Sequence, residues 1–179
     1  MKITKLSLTN FRSFKDTQTI AFAPVTLLFG PNSVGKSTVM MALFYLQQII
    51  EKGQCNPQRI EALGNKYVGG FKKLVNGRDL SKSISIKVEY DKLGAIGSTY
   101  GKTLALLADR AGDEVSPLLL EDQASSTERV ALEFVISWSK SKNTAYVERF
   151  SVWLNEQYLG STSCENGLEN PFLNDLNLF

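Results

Sequence analysis

A glycine-rich octapeptide near the N-terminus is the clearest functional motif of the chain. Residues 30–37 read Gly-Pro-Asn-Ser-Val-Gly-Lys-Ser, which fits the pattern G-x-x-x-x-G-K-[ST] of loops that cradle nucleotide phosphates. In such a loop the glycines let the backbone approach phosphate closely, and the backbone N–H groups point inward. The octapeptide therefore predicts a nucleotide site, and the competing interpretation is a chance match to a short pattern.

The side chains of this loop have distinct predicted roles. Lys36 supplies a compact positive charge suited to the β- and γ-phosphates. The Ser37 hydroxyl is the predicted ligand of a hydrated Mg²⁺, and Asn32 and Ser33 can hydrogen-bond phosphate oxygens or brace the loop. The predicted nucleotide-binding set is Gly30, Pro31, Asn32, Ser33, Val34, Gly35, Lys36, Ser37 and Thr38.

The elements on either side of the loop are the ones that must position it. The apolar run Val-Thr-Leu-Leu-Phe at residues 25–29 predicts a strand, and its composition suits a central strand covered on both faces. Apolar residues at helical spacing over residues 38–52 predict a helix whose start adds partial positive charge to the site. Further apolar residues widen this stripe nearly all round: Met40, Met41 and Phe44. We therefore expect the helix to be buried between sheets and to end at Gly53.

Composition and charge exclude several classes of protein. The 179 residues are 43% hydrophobic and carry a net charge of +2, as is ordinary for one globular domain or lobe. The absence of histidine excludes His-based catalysis and His-ligated metal within this chain. Cys55 and Cys164 match no metal spacing and are predicted to be reduced thiols of a cytoplasmic protein. With no apolar run long enough to span a bilayer and no secretory signal, we expect no membrane partner.

Charge is distributed unevenly along the chain. Residues 59–102 contain nine Lys/Arg against four Asp/Glu, whereas residues 109–133 contain two against seven. Solvated loops and edge strands explain such an imbalance. The alternative is that the first segment presents a basic face to the backbone of a nucleic acid.

The rest of the chain is rich in strand patterns. Alternating or apolar runs predict strands over residues 2–8, 17–22, 83–90, 100–108, 130–138 and 144–154, and a final short strand starting at Tyr158. Residues 139–143 are predicted to be a hairpin connection. Residues 54–80 are predicted to be loop with short helices, residues 109–128 to be mainly loop, and residues 165–179 show no clear period.

The N-terminal motifs together resemble a known family. Asn10-Phe11-Arg12-Ser13-Phe14 after a strand, followed by Gly30-Pro31-Asn32 and Gly35-Lys36-Ser37, is similar to the opening of ABC-type ATPases of the SMC, RecF and OLD group. The same arrangement is found in bacterial AAA family ATPases associated with DNA repair and anti-phage defence. A weaker resemblance to the defence-type ATPases lies at residues 63–75. The firm part covers about residues 1–52.

This resemblance implies a fold and a set of ligands. It implies an α/β P-loop NTPase fold of the ABC/SMC head type, with the central helix packed between a mixed sheet and an antiparallel β subdomain. It also implies ATP and Mg²⁺ as cofactors, and it places Arg12 and Ser13 beside the nucleotide. For Arg12, contact with a phosphate or the base competes with a surface turn position, whereas Phe11 and Phe14 are expected in the core.

Other motifs of the family are missing. The resemblance implies a signature motif and an acidic motif in which four apolar residues precede Asp-Glu. Asp109 follows the best local match, but Arg110 comes next, and a strand running into a loop explains Asp109 better. The glutamines near the first helix are weak candidates for the family's loop glutamine: Gln47, Gln48, Gln54 and Gln58. We therefore assign no catalytic residue to this chain.

The organisation expected is one N-terminal ATPase lobe of a longer protein over residues 1–179. It would comprise the strand, loop and helix (1–53), a loop-rich and β segment (54–128), an antiparallel β segment (129–164) and a tail (165–179). By resemblance, the full protein would form a homodimer whose heads sandwich two ATP molecules. Nucleic acid and a nuclease or effector are the further candidate partners.

Three functions are compatible with these features. The first is an ATPase of DNA repair or anti-phage defence whose ATP-dependent dimerisation controls nucleic-acid or effector engagement. The second is a nucleotide-binding scaffold that assembles a partner nuclease without hydrolysing ATP. The third, a small-molecule kinase built on the same loop, is disfavoured by the many antiparallel strands and by the Phe-Arg-Ser-Phe element.

Overall fold

One large antiparallel sheet and one long helix make up most of the described structure. The computed structural model describes residues 2–31, 35–91, 127–165 and 171–177. Its strands are β1 (Lys2–Thr9), β2 (Gln18–Ala21), β3 (Arg59–Ile60), β4 (Lys66–Tyr67), β5 (Ile84–Asp91), β6 (Arg129–Ser139), β7 (Thr144–Leu154), β8 (Gln157–Ser163) and β9 (Phe172–Leu176). Its helices are α1 (Lys36–Lys52) and α2 (Phe71–Leu74), with 3₁₀ turns at Glu61–Leu63 and Asn76–Arg78.

The large sheet has the strand order β2-β1-β5-β6-β7-β8-β9, and all neighbouring strands are antiparallel. Alternate residues of β5 are buried on one face: Ile84, Ile86, Val88 and Tyr90. The register then places Val88 between Leu6 of β1 and Leu132 of β6. Because side chains alternate between the two faces of a strand, the sequence pattern and the register together build a continuous apolar inner face. The strand predicted over residues 83–90 is confirmed.

Helix α1 packs against this inner face. It ends at Gly53, whose left-handed conformation (φ 63°) lets its N–H donate to the Ile49 carbonyl at 2.9 Å. The buried residues of the helix form one stripe: Thr38, Val39, Met41, Ala42, Tyr45, Leu46, Gln48 and Ile49. On the other side Met40 and Ile50 are 45% and 43% exposed. The expectation that α1 is enclosed between a mixed sheet and a second β subdomain is therefore not met by the described residues, which supply one antiparallel sheet on one side.

The hairpins were well predicted. Strand β7 has the predicted bounds, β6 extends the predicted strand by one residue at each end, and residues 140–143 form the turn between them. Strand β2 pairs with β1 in antiparallel fashion. The strand predicted over residues 100–108 lies outside the described residues, as do residues 109–126 of the loop predicted over 109–128.

The segment before the glycine loop differs from the prediction. Residues 25–29 form no strand, and Val25, Leu27 and Phe29 are 77%, 69% and 84% exposed. A strand needs neighbours that pair its backbone N–H and C=O groups. No strand that the structure describes pairs with this segment. The prediction of a central strand covered on both faces is thus wrong for this structure.

The C-terminal tail also differs from the prediction, because it adds a strand after β8. Strand β9 pairs with β8, and Asp175 accepts hydrogen bonds from the Tyr158 hydroxyl at 2.7 Å and from the Ser161 hydroxyl at 2.9 Å. These hydrogen bonds, led by that from Tyr158, lower the pKa of Asp175. Because the tail has no clear apolar period, the sequence pattern did not predict a strand there. Strand β9 is instead held by its pairing with β8 and by the hydrogen bonds to Asp175.

Candidate nucleotide site

The candidate site is built around the start of α1. Gly35 precedes the helix with φ 103°, a conformation that favours glycine. Its carbonyl accepts the N–H groups of Thr38 and Val39 at 2.9 and 3.1 Å. The first amides of a helix have no acceptor within the helix, and the helix dipole makes this end positive. Since no acidic residue lies in the first turn, this end of α1 is suited to an anion.

The Lys36 side chain lies across the glycine loop. Its ammonium donates to the carbonyl of Gly30 and, at 2.6 Å, to the carbonyl of Pro31. A phosphate is a stronger partner for an ammonium than a neutral carbonyl is, because the hydrogen bond is then assisted by charge on both sides. The Lys36 ammonium is therefore held at the loop, where it can exchange these carbonyl acceptors for phosphate oxygens. Asn32, Ser33 and Val34 of the predicted set lie outside the described residues.

The aromatic ring of Phe14 closes the site on one side. A Cβ built on Gly35 would lie 2.5 Å from Cζ of Phe14, which is closer than real contacts allow. Position 35 thus requires glycine for two reasons, the positive φ and the neighbouring ring. The sequence predicts Phe14 in the core. In the structure Phe14 is half-buried and lies at the edge of the core, against Gly35.

The two hydroxyl groups at the start of α1 differ in surroundings. Thr38 is buried, and its hydroxyl lies 3.0 Å from the Ser13 hydroxyl in a hydrogen bond. Ser37 is exposed. Its side chain is thus accessible to a hydrated metal ion, whereas Thr38 joins the helix to the turn that contains Ser13. This hydrogen bond brings Ser13, one of the residues predicted by resemblance, directly beside the helix start.

The turn that carries Arg12 is tightly held through its backbone. Arg12 has φ 52°, its N–H donates to the Leu74 carbonyl at 2.7 Å, and its carbonyl accepts a hydrogen bond from Nδ2 of Asn76 at 2.7 Å. Within the described ranges its guanidinium has no hydrogen-bond or ion-pair partner. The structure therefore places the Arg12 backbone in a fixed turn while leaving its cationic group available. Both interpretations of Arg12, as a nucleotide contact or as a surface turn residue, stay open.

The same turn is anchored to the middle of α1 by Phe11. This fully buried ring stacks on Tyr45 with centroids 6.0 Å apart. The Tyr45 hydroxyl donates to the Cys55 carbonyl at 2.6 Å. Burial raises the pKa of Tyr45 well above its usual value, so the phenol remains a neutral donor. Phe11 is thus a core residue, as expected, and it fixes the distance between the turn and the helix.

A comparison with protein families identifies the family of this chain. The family model described as AAA ATPase domain matches residues 1–166, which is most of the chain. The chain belongs to the AAA ATPase domain family. The identification drawn from Asn-Phe-Arg-Ser-Phe and the glycine loop is confirmed at this level. Nucleotide hydrolysis is the general activity that the name of this ATPase family denotes.

Two curated relatives of this AAA ATPase domain carry the name DNA replication and repair protein RecF. The protein from Desulforamulus reducens is 40% identical over 45 residues, which are 25% of this chain and 12% of that protein. The protein from Roseiflexus castenholzii is 44% identical over 78 residues, which are 42% of this chain and 20% of that protein. The matched segments therefore span a fifth or less of these RecF proteins.

The glutamines near α1 are occupied by contacts within the fold. Gln47 donates to Glu51 at 2.9 Å, and Gln48, which is buried, donates to Gln54 at 2.6 Å. The Gln58 carbonyl accepts the N–H groups of Val68 and Gly69. These contacts give Gln47, Gln48 and Gln54 structural roles.

The acidic candidate cannot be placed in the site. Asp109 lies outside the described residues. In the part of the chain that the structure describes, no group of three or more His, Cys, Asp or Glu side chains converges to hold a metal ion. A search of the same residues finds no helix long and apolar enough to cross a membrane.

Two contributors to the site were not predicted from the sequence. Asn76 bonds twice to the turn, through Nδ2 to the Arg12 carbonyl and through its N–H to the Asn10 carbonyl at 2.8 Å. Phe14 was predicted only as a core residue, and its contact with Gly35 was missed. Neither has a local signal, because each contact joins residues more than twenty positions apart in the chain.

Proposed function

We propose that this chain is the ATP-binding lobe of an ATPase that acts in DNA repair or anti-phage defence. The observation that carries the proposal is the joint between the Phe11–Phe14 turn and the start of α1, where Phe14 packs on Gly35 and Ser13 bonds to Thr38. Two motifs separated in the sequence thus meet at a positively polarised helix end. The family assignment supports an ATPase, and the names of the RecF relatives support a role in DNA repair.

The residues at this joint fit ATP and Mg²⁺. The loop from Gly30 to Gly35 and the first amides of α1 would hold the phosphates, and Lys36 would exchange its carbonyl partners for phosphate oxygens. The exposed hydroxyl of Ser37 would be a ligand of the metal ion. Arg12 would contact a phosphate or the base. When bound, the nucleotide supplies a phosphoanhydride whose terminal phosphoryl group can be transferred to water.

We further propose that ATP joins two copies of the full-length protein through their heads. The exposed apolar segment at residues 25–29 beside the glycine loop supports a surface that further polypeptide covers, because isolated monomers rarely expose apolar patches of this kind. The acidic and signature motifs would come from a second lobe, since the matched segments are only 12% and 20% of the RecF relatives. Nucleic acid, or a nuclease acting as effector, would be the partner that this dimer controls.

Equilibrium binding of a fluorescent ATP analogue with Mg²⁺ to the full chain tests the proposal. Lys36→Ala should raise the dissociation constant about 10- to 100-fold, because a hydrogen bond to a charged group contributes about 1.5–3 kcal/mol. Lys52→Ala is the matched control, since Lys52 lies at the other end of α1 and pairs with Glu61 at 2.6 Å on the surface. Equal affinities of the wild type and Lys36→Ala would reject the site.

Turnover distinguishes the proposal from its alternative. If the full-length protein is a hydrolase, it should release phosphate from ATP, and Ser37→Ala should abolish this release. ATP binding with no turnover in the full-length protein would instead favour the scaffold that assembles a partner nuclease.

A further inference from the structure

A basic cluster lies on the short β3–β4 hairpin, the adjoining α2 and the 3₁₀ turn Asn76–Arg78 that follows it. Residues 58–78 contain five Lys/Arg and one Asp/Glu, a net charge of +4. The basic cluster consists of Arg59, Lys66, Lys72, Lys73 and Arg78, all of which are exposed. The aromatic ring of Tyr67, whose residue is 58% exposed, lies among them.

Tyr67 organises the cations of this cluster. Cζ of Arg59 lies 5.9 Å and Nζ of Lys73 lies 5.4 Å from the centroid of the Tyr67 ring, both within the range of cation–π attraction. Arg59 also donates through Nη1 to the Asn65 carbonyl at 3.1 Å. The Lys73 stem packs over Gly69, where a Cβ would lie 2.5 Å from Cδ of Lys73. Two positive charges are therefore held beside one exposed aromatic ring.

The charge of the basic cluster is not neutralised locally. Between residues 35 and 91 and in the other described ranges, none of its five members forms an ion pair. The nearest acids along the chain are engaged elsewhere, since Glu61 pairs with Lys52 and Asp79 lies 3.8 Å from Lys82. Closely spaced like charges repel one another, so the cluster favours an anionic partner that brings several negative charges.

The basic cluster is bonded to the turn of the candidate nucleotide site. Helix α2, which carries Lys72 and Lys73, ends at Leu74, whose carbonyl accepts the Arg12 N–H. The next residue, Val75, forms a bridge with Phe11, and Asn76 bonds to the turn twice. The segment that carries the cations and the start of α1 beside the glycine loop are thus both in contact with the Phe11–Phe14 turn.

We propose that the basic cluster binds the phosphate backbone of a single-stranded nucleic acid and that Tyr67 stacks on an unpaired base. This inference rests on the proposed function and names the surface through which that function engages its substrate. Lysines and arginines that follow the backbone, with an aromatic ring between them, are the usual means of binding single strands. A duplex would engage the cations but would leave the ring without a base to stack on. Because both sites contact the Phe11–Phe14 turn, ATP binding should change the affinity of the basic cluster for the single strand.

The test is fluorescence anisotropy of the full chain with a labelled 30-nucleotide oligothymidylate, at two salt concentrations. The double variant Lys72→Glu/Lys73→Glu should bind at least 10-fold more weakly. Its salt dependence (the slope of log K against log salt concentration) should fall by about 1.4, since each lost phosphate contact to a single strand removes about 0.7. The matched control is Lys140→Glu/Lys142→Glu on the exposed turn between β6 and β7, which should retain the wild-type affinity. Equal loss in both double variants, or no loss in either, would overturn the proposal.

A second set of variants tests the aromatic ring. Tyr67→Ala should weaken binding of the oligothymidylate about 5- to 100-fold, as expected for loss of one stacked base, whereas Tyr67→Phe should retain it. A labelled 30-base-pair duplex should bind more weakly than the single strand and should be insensitive to Tyr67→Ala. Tighter binding of the duplex, or equal binding of a polyglutamate probe, would refute the assignment to single strands.

Nucleotide binding separates this inference from the proposed function. Lys72→Glu/Lys73→Glu should bind the fluorescent ATP analogue as the wild type does, because neither lysine lies in the glycine loop. Failure of ATP binding in the wild type would reject the proposed function. Normal ATP binding with unaltered oligothymidylate binding in the double variant would reject only the basic cluster. Asn76→Ala should reduce the effect of ATP on oligothymidylate affinity, and an unchanged effect would refute the coupling through the turn.

Discussion

The large sheet and the segment at residues 25–29 have similarly apolar strand patterns but different structures. In the sheet, Ile86 lies opposite Leu8 of β1 and Phe134 of β6, and all three are buried. In the segment, Leu27 and Phe29 are 69% and 84% exposed. An apolar run therefore indicates a strand, whereas the available neighbours decide whether one forms.

The two regions also differ in the structural role that we assign to them. The sheet supplies the core on which α1 packs, while the segment leads into the glycine loop at the start of α1. A covered segment would restrict the approach to this loop, whereas an exposed one leaves its apolar side chains for a further polypeptide. The stability of the lobe should therefore depend on the sheet, and its assembly on the segment.

The largest expected effect tests this contrast directly. Ile86→Ala should lower the free energy of unfolding by about 2–5 kcal/mol, because a fully buried side chain is replaced by a cavity. Leu27→Ala should change the free energy by less than about 0.5 kcal/mol, since Leu27 has few neighbours to lose. Urea denaturation of the dilute chain measures both. Similar losses in the two variants would mean that residues 25–29 are covered in solution, and the contrast would disappear.

The next effect compares the two ends of α1. Gly35→Ala should lower the free energy of unfolding by about 1–3 kcal/mol through the strained φ and the contact with Phe14, and it should weaken ATP binding. Gly53→Ala should cost about 1 kcal/mol through the left-handed φ alone, because no atom lies within 4 Å of a Cβ built on Gly53. Thermal unfolding and nucleotide titration measure the pair. If Gly53→Ala were the more harmful change, the contact between Phe14 and Gly35 would not be the feature that requires glycine.

A smaller effect concerns the anchor of the turn inside the core. Tyr45→Phe should cost about 1–2 kcal/mol, because the buried Cys55 carbonyl loses its donor. Tyr67→Phe is the control at an exposed position and should be nearly neutral. The urea midpoints of the two variants, compared at an unchanged dependence of the unfolding free energy on urea, measure the difference. A neutral Tyr45→Phe would indicate that the carbonyl finds another donor.

The smallest effect compares the two thiols. Burial raises the pKa of Cys55 to about 11, so its thiol stays protonated and should react slowly with a disulfide reagent at pH 8. Cys164 is half-buried and should react first. As the pH rises from about 9 to about 11, the unfolded chain loses its Cys55 proton while the folded chain keeps it, so Cys55 should make folding progressively less favourable. Cys164→Ser should abolish the fast reaction, and a persisting fast phase would show that Cys55 is accessible.

The parts of the fold that were predicted from sequence are those whose apolar residues repeat at short, regular intervals. The alternation of Ile84, Ile86, Val88 and Tyr90 and the helical stripe of α1 are visible in windows of about ten residues, and each pattern contains its own evidence for which face is buried. The glycine loop was recognisable for a similar reason, because its chemistry requires particular residues at fixed spacing. These predictions did not need a partner element to be known.

The parts that were missed depend on contacts between distant residues. Strand β9 was not predicted, because its polar residues are selected by pairing with β8 rather than by a core face. The exposure of residues 25–29 was not predicted, because composition reports how apolar a run is and not what lies beside it. The roles predicted for Arg12, Ser13, Lys36 and Ser37 in binding ATP remain predictions, which the variants above test.

The sequence alone was sufficient to predict helix α1, most strands of the large sheet, the glycine loop and the family, since local periodicity and fixed spacing express the physics of those features directly. Only the tertiary structure decided that Phe14 packs on Gly35, that α2 bonds to the Phe11–Phe14 turn, and that Tyr67 gathers two cations of the basic cluster. The first two of these contacts join residues that lie far apart in the chain, and the third depends on how a hairpin and a helix meet. Such contacts exist only once the backbone has brought the residues together.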